Sequence, residues 1–176
     1  MKATMQAILS GPAAAASQTA EQRAGKYLTF QLGNEEFAIQ VLCVREIMGV
    51  QEITAVPQTP GYVKGVINLR GKVIPVVDLR LKFGLPEIEY TQRTCIIVAQ
   101  IENRGAKLLI GIIVDCVSEV LTLQTTDIED TPDFGSGVET PYLLGMAKIK
   151  GKVKILLDID MVLTAQEVMS LGPLGA

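Results

Sequence analysis

Gly65, Gly71, Lys72, Val73 and Asp78 recur as Gly145, Gly151, Lys152, Val153 and Asp158, each 80 residues further on, and Arg70 is matched by Lys150 at the same shift. A shift of 73 residues matches Cys43, Val44, Glu46 and Ile47 with Cys116, Val117, Glu119 and Val120. A seven-residue insertion in one loop reconciles the two shifts, so the chain reads as two copies of one module. Duplication restricts the fold severely: whatever one copy forms, the other must form as well.

Each copy is patterned as strands. From Lys26 onward, short runs rich in valine and isoleucine are separated by Gly, Asn and Pro signals every eight to twelve residues or so. Tyr27–Leu32 reads as a strand, Gly33–Glu36 as a turn and Phe37–Val41 as the returning strand, with Phe37, Ile39 and Val41 on one face. Val44, Ile47 and Met48 stand at i, i+3 and i+4, which predicts a short helical turn ended by Gly49. Gly71 and Gly151 suit hairpin turns that need a positive φ. Five short strands per copy close best as a small barrel, giving a mainly β protein of two five-stranded barrels with short helices: 26–90 for the first and 93–160 for the second, after a tail over 1–25. Phe83–Glu87 is the expected linker, and Asp127–Thr140 a polar loop interrupting the second barrel. Thr164–Leu171 can form a short C-terminal helix that Gly172 and Pro173 stop, leaving 164–176 outside the barrels.

Composition narrows the chemistry. With no histidine there is no Ser-His-Asp or Cys-His arrangement and no imidazole ligand or base, so an enzyme here must work through carboxylate, lysine or thiol. A net charge of −3 and a pI near 5.1 argue against a phosphate-binding footprint. Cys43, Cys95 and Cys116 are odd in number, lack C-x-x-C spacing and lie in or beside apolar runs, the pattern of buried reduced thiols in a cytoplasmic protein. Leu108–Val114, the longest apolar-plus-glycine run, is far short of the roughly 20 residues of a membrane helix. Ala13–Ala16 is preceded only by Lys2 and interrupted by Pro12, which reads as tail and not as a signal peptide.

Catalytic and cofactor templates fail by counting. An EF-hand numbered from Asp127 meets Pro132 where glycine is needed and Val138 where glutamate is needed. Gly71-Lys72-Val73 and Gly151-Lys152-Val153 lack the Ser/Thr of a phosphate loop, and Gly135-Ser136-Gly137 fits neither a dinucleotide fingerprint nor a nucleophile elbow. No catalytic, cofactor or metal site is expected. The short apolar turns carrying Val44 and Val117 fit two descriptions equally, core or the walls of a cleft that takes a partner helix. On the residues alone the chain is a duplicated β-barrel interaction module; a carboxylate or thiol enzyme and a small-barrel nucleic-acid binder are the alternatives.

The run Gly65-Val66-Ile67-Asn68-Leu69-Arg70-Gly71-Lys72-Val73-Ile74-Pro75-Val76-Val77-Asp78-Leu79-Arg80 resembles the central signature of the CheW family, the chemotaxis coupling proteins. Phe37-Ala38-Ile39 leading into Val44-Arg45-Glu46-Ile47, and Gly111–Val120, are similar to its flanking segments; the resemblance covers about Lys26 to Leu163. It implies a CheW-like domain over 26–163, two SH3-like barrels packed over a shared apolar interface. It also implies a cytoplasmic, non-enzymatic adaptor, recruited to membrane-bound receptor arrays without inserting in the membrane. Such an adaptor joins the cytoplasmic hairpin tip of chemoreceptors to the regulatory domain of the histidine kinase CheA and builds rings with it. Carried over by residue, the receptor-facing groove takes Val44, Glu46, Gly65, Asn68, Arg70 and Val117. Kinase-contact residues stay unassigned.

Overall fold

The computed structural model describes residues 20–103, 105–131 and 141–163. Helix α1 (Ala20–Arg23) leads into β1 (Gly25–Leu32) and β2 (Glu35–Gln40), followed by a 3-10 turn (Val41–Cys43) and β3 (Val44–Gly49). Next come β4 (Val63–Leu69), β5 (Lys72–Asp78), α2 (Leu79–Lys82), β6 (Cys95–Asn103), β7 (Ala106–Val114) and β8 (Cys116–Leu123). A second 3-10 turn (Thr125–Asp127), β9 (Ile128–Glu129), β10 (Leu143–Ile149), β11 (Lys152–Leu157) and α3 (Ile159–Val162) complete the order.

Two sheets result, with strand orders β8-β1-β2-β11-β10-β9 and β3-β6-β7-β5-β4. This corrects the sequential division into 26–90 and 93–160. The first hairpin, β1–β2, leaves its own copy and joins the second: β1 pairs antiparallel with β8, and β2 pairs parallel with β11. In return β6–β7 joins the first copy, β6 antiparallel to β3 and β7 parallel to β5. The two exchanges are equivalent in register. Val77 faces Ile112 and Leu157 faces Ile39, so the shift of 80 along β5/β11 and of 73 along β2/β7 give the same pairing twice. The linker at Phe83–Glu87 therefore joins two parts of one sheet and separates nothing.

Exchange explains the continuous apolar runs, because both faces of the central strands are buried. Ile96, Val98, Ile74 and Val76 fill the interior of the five-stranded sheet, whereas their neighbours Ile97, Ala99 and Val77 turn to a core shared with Leu28, Phe30, Phe37, Ile39 and Leu157 of the other sheet. Tyr27, Ala38, Ala147 and Leu156 fill the six-stranded sheet's own interior. Each sheet also curls shut. Thr54, beyond β3, bridges to Val66 of β4, and β9, beyond β8, pairs with β10.

Three further expectations change. The stretch Val44–Met48 is strand β3, not a helical turn; its residues alternate between half-buried and exposed, and the short helical turn lies one step earlier at Val41–Cys43. Val117 likewise stands on a strand, β8. Residues 20–25, placed in the tail, form α1 and the start of β1: Tyr27 Oη donates to the Arg23 carbonyl (2.6 Å) and Gln40 Nε2 to the Gln22 carbonyl (3.1 Å), anchoring the helix. The rest of that tail, most of the polar loop and the C-terminal helix over Thr164–Leu171 lie outside the described residues. Of the cysteines, all free, Cys116 is buried while Cys43 and Cys95 are half-buried. Among the described residues no helix is long and apolar enough to cross a membrane, and no group of three His, Cys, Asp or Glu side chains is placed to hold a metal.

Candidate functional site

Leu69 and Lys72 pair across a two-residue turn in which both Arg70 (φ 51°) and Gly71 (φ 86°) are left-handed, the geometry that matches the twist of a β-hairpin. Glycine takes this φ freely; arginine does so at a cost of order 1 kcal/mol. Asn68 holds the turn, its Oδ1 accepting the Gly71 N–H at 2.7 Å. Arg70 is thereby presented outward, 73% exposed, and its guanidinium forks onto Glu46, Nη2 to Oε2 at 2.8 Å and Nη1 to Oε1 at 3.2 Å. Glu46 lies on β3 and Arg70 beyond β4, the two edges of the five-stranded sheet, so the pair spans the place where that sheet closes.

The Arg70 hydrogen bond holds the Glu46 carboxyl below the usual carboxylate range, and Glu46 raises Arg70 in return. Because the carboxyl is lowered, the pair is fully formed above the ordinary carboxylate pKa and is lost as pH falls through the depressed one. The pair is open to water and to screening, so it contributes orientation far more than stability. Ile47, the next residue on β3, is 43% exposed and stands on the opposite, outward face of the strand.

The six residues expected to face a partner separate into three groups. Glu46, Asn68 and Arg70 come together as described. Gly65 is buried: a Cβ there would stand 2.0 Å from the Thr54 carbonyl oxygen, so its role is to let the Thr54 segment close on β4. Gly145 serves the second copy identically, with the Glu129 carbonyl 2.9 Å from a Cβ. Val44 and Val117 occupy equivalent places on different sheets, paired with Ala99 and Phe30, and both pack half-buried against the shared core. They flank the seam between the sheets.

A second concave surface escaped sequence reasoning. Phe30, Phe37, Phe83 and Tyr142 stack in series with ring centroids 6.0, 5.8 and 5.3 Å apart. The outer rings open onto a groove of about 600 Å³ whose walls include Leu32, Phe37, Phe83, Tyr142, Met146 and Ile155. These rings come from four separate stretches of chain, so no spacing in the sequence announces them.

The family model described as CheW-like domain matches residues 26–167. The chain is 37% identical to the chemotaxis protein CheW of Klebsiella aerogenes over 159 residues, 90% of this chain and 93% of that protein. It is 40% identical to the chemotaxis protein CheW of Rhizobium meliloti over 140 residues, 80% of this chain and 88% of that one. Among solved structures, the scaffolding protein TtCheW of Thermoanaerobacter tengcongensis superposes with a TM-score of 0.71 at 32% identity, over 82% of this chain and 97% of its own. An exchanged pair of duplicated barrels carrying the Asn68–Gly71 turn, together with similarity over nearly the whole domain, places this chain in the CheW-like family.

Proposed function

We propose that this chain is a chemotaxis adaptor that couples chemoreceptors to the histidine kinase CheA, binding both at once and performing no chemistry itself. Holding receptor and kinase on one body raises their effective concentration and lets the conformation of one bias the other. It works in the cytoplasm, recruited to receptor arrays, where it joins rings with the kinase's regulatory domain. The receptor's hairpin tip lies along the seam flanked by Val44 and Val117, with Glu46 and Arg70 setting its orientation around the apolar contact, Asn68 holding the turn and Gly65 closing the strand beneath. The observation that carries this reading is the exposed Arg70, kept in a left-handed turn where glycine fits more easily, with its guanidinium aimed by Glu46.

That strain separates function from fold. Arg70→Gly relieves the turn and removes only a solvent-screened pair, so the variant keeps or raises its unfolding midpoint. Receptor-dependent kinase autophosphorylation, reconstituted with receptor fragments, is expected to fall several-fold with Arg70→Gly and with Glu46→Lys. Normal activation by both variants overturns the site; no activation by the unaltered chain with cognate partners overturns the adaptor reading.

A further inference from the structure

Leu42 is the most exposed large hydrophobic side chain among the described residues, 86% open to solvent. A lone apolar side chain on a surface needs no explanation, but this one is held in place. It sits at the centre of the 3-10 turn Val41–Cys43, and its neighbours Val41, Cys43 and Val44 pack against the shared core. The Val44 N–H donates to the Val41 carbonyl, and Arg45 Nη1 donates to the Leu42 carbonyl at 3.0 Å. Arg45 is fixed in turn: its Nε and Nη2 both donate to Gln100 Oε1, at 3.2 and 3.0 Å. The turn touches β1 of one sheet and β6 of the other, so Leu42 projects where the two sheets meet.

The duplication shows that this place need not be open. A shift of 73 residues sets Leu42 against Asp115, and a shift of 80 sets Arg80 against Asp160. Where Asp115 stands the position is closed, its Oδ2 accepting from Arg80 Nη1 and from the Gly33 N–H. Where Leu42 stands there is no carboxylate to accept with, and Asp160 Oδ1 takes the Glu102 N–H instead, at 2.8 Å. One position therefore ties a hairpin down in one copy and presents an apolar side chain on a rigid turn in the other. A leucine projecting in this way complements a hole between the side chains of a helix surface, as a knob fits a hole. The receptor's helical hairpin offers such holes, and Val44, which flanks the seam proposed for it, lies two positions from Leu42. We infer that Leu42 is a specificity-determining contact for the receptor, inserting between side chains of the helical hairpin laid along the seam; this rests on the adaptor function proposed above.

Leu42→Ser and Leu42→Met separate the apolar contact from the turn that carries it. Both variants are expected to keep the circular dichroism spectrum and urea midpoint of the unaltered chain, because the side chain lies almost wholly in water. Leu42→Ser is expected to bind a receptor hairpin fragment about ten-fold more weakly and to lower receptor-dependent kinase autophosphorylation several-fold. Leu42→Met, which keeps the apolar volume, is expected to stay within about two-fold of the unaltered chain. Affinity for the kinase alone stays the same in both. Unchanged receptor affinity in Leu42→Ser overturns the inference, whether nothing else changes, only kinase binding falls, or only self-association in gel filtration falls. An equal loss in Leu42→Met overturns it too, as does an unfolded Leu42→Ser, which assigns the side chain to the fold. Failure of the unaltered chain to bind the receptor fragment is a separate result, which overturns the adaptor function and this contact with it.

Discussion

Arg70 and Lys150 have φ values of 51° and 52°, and each is followed by a left-handed glycine. Gly71 and Gly151 were legible in the sequence as turn residues; the cation before each was not, because propensity steers long side chains away from this region and only the two-residue hairpin demands it. The repeat extends to the caps. Asp78 Oδ1 accepts the Arg80 N–H at 2.9 Å at the start of α2, and Asp158 Oδ1 accepts the Asp160 N–H at 3.1 Å at the start of α3. Burial, then repulsion from Asp160, pushes Asp158 up to about 6, against the opposing hydrogen bond from the Asp160 backbone. A carboxyl raised on folding contributes stability that is fully present below its unfolded pKa, near 3.9, and lost as pH rises through the folded value. Asp158→Asn keeps the capping oxygen and removes the titration. Between about pH 4 and 6 the unaltered chain is expected to lose stability relative to Asp158→Asn, measured by urea unfolding. A difference that stays constant with pH rules out this titration.

Among the elements, β3 shows where periodicity misleads. Val44, Ile47 and Met48 have helical spacing only because Ile47, an apolar residue, points outward from a strand whose inward positions are Val44, Glu46 and Met48. An exposed apolar and a half-buried charge reverse the usual alternation, and that reversal coincides with the proposed contact surface. The pairing partners of the first hairpin were illegible for a different reason. Nothing local in β1 or β2 specifies a partner more than 80 residues away; tertiary contacts do. Asp115 is one such contact: Oδ2 accepts from Arg80 Nη1 at 2.6 Å and from the Gly33 N–H at 2.8 Å, and the Asp115 N–H donates to the Gln31 carbonyl at 3.0 Å. This clasp ties the tip of the exchanged hairpin to α2. Arg80 is only 12% exposed, so Asp115→Ala leaves a largely buried cation without its carboxylate, at an expected loss of about 3 kcal/mol in urea unfolding. A loss under about 0.5 kcal/mol, typical of a surface site, counts against the clasp. Glu36 and Lys154, which face each other across the parallel β2–β11 pair, form a comparable buried ion pair.

For the molecule as a whole, the duplication and the two-barrel class were readable, while the division between barrels was not. The 80- and 73-residue shifts reveal that two copies exist, yet they look the same whether each copy closes on itself or trades its hairpin with the other. The trade has a direct test. Cutting the chain once within Phe83–Glu87 breaks a connection inside one sheet, and the two fragments are expected to remain associated through both exchanged hairpins during gel filtration without denaturant. Separation into two folded pieces contradicts the exchanged topology.

Order of synthesis gives the exchange a further consequence. The five-stranded sheet, 44–114, is contiguous and has all its strands once Val114 is made. The hairpin β1–β2 is made first of all, but its parallel partner β11 ends at Leu157. At the usual 5–20 residues per second of translation, the ribosome needs on the order of ten seconds to travel from β2 to β11. During that interval Phe37 and Ile39 lack the parallel partner that completes their sheet, so an apolar hairpin made early is secured late, leaving a strand edge open of the kind that favours association between nascent chains.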